Sequence, residues 1–383
     1  MSTESEYRAK PEAGHQLPVW KTAVGRFTYY NAAPADILAP LIEDIPLEDT
    51  VIRNAFVSRR SNARLPGGPR CDVGAVYAKG KILPEFSERN EWQRDILSRP
   101  VRDPEQIGRG RIENAEKLPG TYVYLGFLKN QFGHFITESL PRAWRLIGLD
   151  KNVGVIFHHP GRDVSFTGFR KTIMDALGVP AERVTAASRD LLVENLIVPN
   201  CQFWLRGKGS PGLCRVFDHL AEKLVENKQG GRTEYPKKIY LTRENLRPEL
   251  EAKLDDDGIS AVGRLAVARK LTMNESEIEE VFRARGFEII SPEVLPFEEQ
   301  VALIRNATHI AGIAGSAMHM VMFNNNPQAK IIVLHTRPLH SQIVLNGVRG
   351  IESHHIFCLL PQRNNRIPAL DAHLVKRALA EIV

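Results

Sequence analysis

Two stretches of this 383-residue chain have residue types and spacings that could do chemistry. The first is Asn130-Gln131-Phe132-Gly133-His134-Phe135-Ile136-Thr137-Glu138. His134 and Glu138 are four residues apart, so a helix starting near Gly133 brings both side chains to one face. An imidazole beside a carboxylate can take a proton from a hydroxyl group. His134 titrates near working pH unaided, and Glu138 would do so if a closed cleft desolvated it. The reading leans to Glu138 as the base, with His134 positioning the hydroxyl; the reverse, Glu138 orienting His134, stays open. The plain alternative is a solvated histidine with a glutamate favourably placed near a helix N-terminus. The second stretch is Ile310-Ala311-Gly312-Ile313-Ala314-Gly315-Ser316-Ala317-Met318-His319. Its small residues allow a ligand close to the backbone, and free N–H groups at the start of the following helix would suit phosphate. Arg243 ends a neighbouring strand and would supply fixed bidentate charge for a diphosphate, with Arg269 or Lys270 joining it.

The surrounding pattern must position these groups. Thr121–Leu128 is β-branched and aromatic, as in a buried strand. Beyond the glycine, Phe135, Ile136, Leu140, Ala143, Trp144 and Ile147 predict the apolar stripe of one helix. Strands at 153–157 and 196–199 with a helix near 167–177 continue a βα alternation, which predicts parallel sheet. A second alternation starts at Lys238 and runs through strands at 287–290, 308–312 and 330–334, with helices from Asn274, over 298–306 and over 316–323. The acidic run Asp255-Asp256-Asp257 reads as a surface loop. The expected division is a polar arm over 1–20, an α/β domain over 21–235, a second over 236–350, and a C-terminal segment, 351–383, whose helix could pack back on the first domain. Strand ends that carry such groups in open α/β sheets are where ligands bind.

Composition narrows the class. Hydrophobic residues make up 43% and charged residues 25%, an ordinary globular balance. The four cysteines are widely spaced without a CxxC pair, which argues against a zinc site or a disulfide framework. Net charge is +6, an excess that suits anionic small molecules or an acidic membrane surface. No nucleic-acid signature accompanies it, and the arginine clusters at 59–70 and 94–111 are the sole hint of nucleic-acid association. The N-terminal residues lack the apolar core of a signal peptide, and no apolar run reaches the ~20 residues needed to span a bilayer. A cytoplasmic protein is expected, with peripheral contact at the inner face of the membrane left open.

Taken in order, the motifs resemble family 61 glycosyltransferases. The resemblance covers roughly residues 120 to 337. It rests on Gly133-His134-Phe135-Ile136-Thr137-Glu138 with Leu140-Pro141-Arg142, on Ile239-Tyr240-Leu241-Thr242-Arg243, and on Arg269 through Asn274-Glu275. It continues from Gly286-Phe287-Glu288-Ile289-Ile290 through Pro296-Phe297-Glu298-Glu299-Gln300 to the glycine turn and helix. The resemblance implies an α/β, GT-B-like fold of two Rossmann-like domains facing a central cleft, and an inverting transfer. It further implies a nucleotide-sugar donor and a glycan or lipid-linked glycan acceptor in bacterial surface or capsular polysaccharide synthesis, with neither metal nor other cofactor. Glu138 and His134 would be catalytic, and Arg243, Arg269, Glu299, Gly312, Gly315, Ser316 and His319 would bind the donor. Two positions depart from the family pattern: Ala314 stands for a histidine and Met320 for an asparagine. They favour the alternative, an inactive relative that binds a nucleotide or glycan as a scaffold.

Overall fold

The computed structural model describes residues 19–21, 27–31, 41–64, 70–83, 106–159, 161, 164–205, 207–226, 232, 234–256, 258–360 and 367–383. The fold is mixed α/β, in two compact units. One comprises residues 41–223. The other combines residues 1–40 with 224–383, so it is built from both ends of the chain.

In the first unit, parallel strands Val184–Ala186, Gly154–His158, Glu116–Phe127 and Leu191–Pro199 lie side by side in that order. Antiparallel Asp49–Val57, Val76–Ala78 and Lys81–Ile82 extend the sheet. In chain order the parallel strands run third, second, first, fourth, and the direction of winding reverses between Glu116–Phe127 and Leu191–Pro199. Tyr124, Ile156, Leu196 and Val198 share one buried cluster with Val57 and Val76. His158 ties the two parts of the sheet together. Its Nδ1 meets the Tyr124 hydroxyl at 2.8 Å and its Nε2 donates to the Ser58 carbonyl, also at 2.8 Å. A Cβ on Gly74 would lie 2.6 Å from the same ring, so only glycine lets the chain pass there.

In the second unit the parallel strands, side by side, are Glu288–Ile290, Lys238–Leu241, His309–Ile313, Lys330–His335 and Glu352–Phe357. This is the order second, first, third, fourth, fifth, with its reversal between Lys238–Leu241 and His309–Ile313. Phe27–Tyr30 adds parallel to Glu352–Phe357, and Val19–Lys21 caps the edge antiparallel. Helices Glu275–Arg283 and Ala372–Ile382 cover one face, packing Ile278, Phe282, Val375 and Leu379 against Tyr240, Ile332, Leu334 and Ile356. A sheet covered on both faces needs near-continuous apolar strands, and Lys330–His335 is buried over its last five residues.

Several expectations are revised. The terminal helix packs within its own unit rather than back on the first domain. Strands from the N-terminal region expected to open the first domain belong to the second sheet, and the unit boundary falls inside helix Cys214–Glu226 rather than near residue 235. The expected polar loop around Asp255 is instead the end of helix Arg247–Asp255, followed by helix Ala261–Ala268; Asp257 lies outside the described residues. Most of the expected N-terminal arm and of the 94–111 arginine cluster also lies outside them. Among the described residues no helix is long and apolar enough to cross a membrane.

Candidate active site

The His134 stretch begins where Glu116–Phe127 ends, beside the reversal of the first sheet. The chain does not continue there as one α-helix. A single turn, Phe132–His134, passes into a π-helical turn, Phe135–Ser139, and after Pro141 into the 3₁₀ turn Ala143–Leu146. Pro141 lacks the N–H that an uninterrupted helix would use, and π turns are frequent at functional sites. Ser139, fully buried, locks the turn onto the strand. Its hydroxyl accepts from the Lys129 N–H at 2.9 Å and donates to the Phe127 carbonyl at 2.8 Å. Arg142 Nε reaches the Pro199 carbonyl at 3.1 Å, and Trp144 Nε1 reaches that of Asn200 at 3.1 Å. The segment therefore bridges the carboxyl ends of the two strands between which the winding reverses.

The spacing of His134 and Glu138 does bring them together. Glu138 Oε1 pairs with His134 Nδ1, and its Oε2 lies 3.4 Å from Lys129 Nζ. Glu138 is only 11% exposed on its side chain, against 49% for His134. With Glu138 ionised and the imidazole neutral, Nδ1 donates and Nε2 carries the lone pair. Among the described residues Nε2 has no partner. Lys129 escaped the sequence reading because one lysine after a strand resembles any solvated loop residue.

On the second unit, Arg243 and Gly315 follow the two strands that flank the reversal, with Leu241 opposite Gly312 in register. Arg243 is half-buried, and its Nη2 donates to the carbonyls of Ile313 at 2.7 Å and Ala314 at 3.0 Å. Gly315 has φ 156° and ψ −170°, a conformation essentially reserved for glycine. A Cβ there would lie 2.5 Å from Arg243 Nη2. Ser316 is exposed at the start of the 3₁₀ helix Ser316–Phe323, so backbone N–H groups, a hydroxyl and a guanidinium meet at one accessible turn.

Carboxylates stand behind the arginine. Glu275 accepts from the Arg243 N–H at 3.0 Å, and Glu279 from the Thr242 hydroxyl at 2.5 Å. Burial pushes the Glu275 carboxyl up to about 7, against the opposing pull of the Arg243 charge. Asn274-Glu275 was legible as a helix start, but its role behind Arg243 depends on tertiary contact.

The other donor-side candidates are placed differently. Gly312 is a buried strand residue whose missing side chain leaves room for the Met318 sulfur. His319 and Glu299 are buried, at 6% and 7% exposure. Arg269 is exposed at the end of helix Ala261–Ala268. Met320 is 1% exposed and lines a small cavity with Leu241 and Ile304, so that departure from the family pattern sits in the core rather than at an accessible surface.

Two α/β units, each bearing polar groups at the strand ends where its winding reverses, define a class of ligand-handling α/β proteins. The chain belongs to the glycosyltransferase 61 family: the family model matches residues 132–332, just over half of its length, from the His134 turn to the strand after the Gly315 turn. It is therefore a glycosyltransferase, acting on a sugar donor and a glycan acceptor in general terms. No curated protein matches it.

Proposed function

We propose that the protein catalyses an inverting, metal-independent transfer from a nucleotide-sugar to a glycan or lipid-linked glycan in bacterial surface polysaccharide synthesis. His134 serves as the base. The observation that carries this assignment is the commitment of both Glu138 oxygens, one to His134 Nδ1 and one facing Lys129 Nζ. The carboxylate then orients the ring and stabilises the imidazolium formed when Nε2 takes the acceptor proton, the relation a carboxylate has to histidine in hydrolytic triads. This reverses the sequence-based lean toward Glu138. The donor diphosphate would lie over Gly315 and Ser316, with Arg243 supplying charge as the nucleotide leaves. A GT-B arrangement, with both units serving one reaction at the cytoplasmic face of a membrane, completes the reading.

The test begins with a screen of nucleotide-sugars for thermal stabilisation, since a ligand at a hundred times its dissociation constant adds about 2.7 kcal/mol. With the donor in hand, His134→Ala should lower kcat by about 10²–10⁴-fold and remove the acid limb of the pH–rate profile. Glu138→Gln should be impaired but keep an imidazole-governed limb. Near-normal turnover in His134→Ala would eliminate the imidazole as base.

A further inference from the structure

The first unit carries a cleft of about 310 Å³ lined by Leu47, Asp49, Trp144, Arg145, Ile147 and Arg215. We propose that this cleft binds an acidic sugar residue of the acceptor glycan. Its size is at the low end of ligand pockets, about 300–1,000 Å³, which suits one sugar unit better than a whole nucleotide-sugar.

The charges within it are unequal. Arg145 Nε donates to Asp49 Oδ2 at 2.5 Å, so that cation already has its counter-ion. Arg215 is exposed and has no hydrogen bond or ion pair with any described residue. It is the second residue of the 13-residue helix Cys214–Glu226, whose first turn holds no acidic residue. A cation there opposes the positive end of the helix dipole. An anion in the cleft would compensate both charges, and a guanidinium takes a carboxylate bidentately. Asp49 makes the cleft a poor trap for a bare anion but a good acceptor for sugar hydroxyls. Leu47, Ile147 and the rim of the mostly buried Trp144 offer apolar surface to the C–H face of a ring.

The cleft also lies on the edge that matters. Asp49 is opposite Pro199 in register, at the carboxyl end of Leu191–Pro199. Trp144 and Arg145 belong to the 3₁₀ turn that follows the His134 turn after the three residues 140–142. Calling the ligand an acceptor rests on the proposed transferase reading; the binding itself does not.

Calorimetry with methyl glucuronoside, methyl glucoside, glucose 6-sulfate and inorganic phosphate tests the proposal on the full chain. The glucuronoside should bind at least tenfold tighter than the glucoside, and Arg215→Gln should abolish that preference while leaving Tm unchanged or slightly raised. A sulfate ester binding as well as the glucuronoside supports a subsite for acidic sugars of either kind. Equal affinity for glucoside and glucuronoside, an unchanged preference in Arg215→Gln, or phosphate binding as tightly as the acidic sugars would each overturn it. His134→Ala should retain glucuronoside binding, so a failure of the catalytic reading is seen separately from a failure of the subsite.

Discussion

At the scale of single residues, the Gly315 turn proposed to hold the donor is more tightly constrained than the His134 turn. Gly315 has a backbone conformation that excludes a side chain, and the space a side chain would need is filled by the Arg243 guanidinium. Gly315→Ala should therefore strain the backbone by about 1–3 kcal/mol and displace the arginine. Arg243→Ala should remove one donor from the Ile313 and Ala314 carbonyls and the charge beside the turn. Both variants should bind nucleoside diphosphate at least tenfold more weakly, read by calorimetry against circular dichroism as a folding control. Undiminished affinity in Arg243→Ala would take that residue out of the proposed donor site. The arginine's place was legible because parallel strands share a ligand edge, so a charged residue ending one strand meets the turn that follows its neighbour. That its guanidinium would be partly committed to carbonyls was not legible, because backbone acceptors leave no sequence signal.

At the scale of elements, pattern reading recovered many of the strands, though not Phe27–Tyr30, Val184–Ala186 or Glu352–Phe357, and missed how the chain turns between them. The runs at 121–128, 238–243, 308–312 and 330–334 stand as buried parallel strands because burial on both faces leaves a continuous apolar signature. The apolar stripe from Phe135 to Trp144 also marks buried positions correctly, with Ile147 only half-buried, yet Pro141 splits it into a π turn and a 3₁₀ turn. Periodicity reports which side chains are buried, not how many residues each backbone loop closes. The pairing of the N-terminal strands with the last sheet was beyond local pattern, since Ser353 meets Phe27 across more than three hundred residues. What fixes the π turn is testable. Ser139→Ala strips partners from the Lys129 N–H and the Phe127 carbonyl, and a buried unsatisfied backbone group costs about 1–3 kcal/mol. The variant should lose stability by that order in denaturant melts. It should also lose turnover at temperatures where it remains folded, because Lys129 and Glu138 flank the released turn. Turnover unchanged in a folded Ser139→Ala protein would mean the turn holds its shape without this clasp.

At the scale of the whole molecule, buried histidines tie stability to pH. Burial lowers His158, in the first unit, to about 4 and His335, in the second, to about 4. His355 meets His335 at 2.9 Å and is also driven well below its usual value by burial. An unfolded chain protonates these rings near 6.5, so between about pH 6.5 and 4 the unfolded state binds more protons. Their contribution is complete above pH 6.5 and is lost as pH falls toward 4. Glu275 acts in the opposite sense: burial raises it to about 7, so its contribution is complete below its unfolded value near 4.5 and is lost as pH rises through 7. One carboxyl opposes histidines in both units, and each fully linked proton changes stability by ~1.4 kcal/mol per pH unit. Stability should therefore decline from pH 7 to pH 5, seen as a lower denaturant midpoint in equilibrium unfolding followed by fluorescence. His158→Gln should flatten that decline even if it lowers stability at pH 7, because a neutral amide has no proton to gain. A midpoint that holds steady or rises from pH 7 to pH 5, or a decline as steep in His158→Gln as in the unaltered protein, would show that these rings do not govern acid stability.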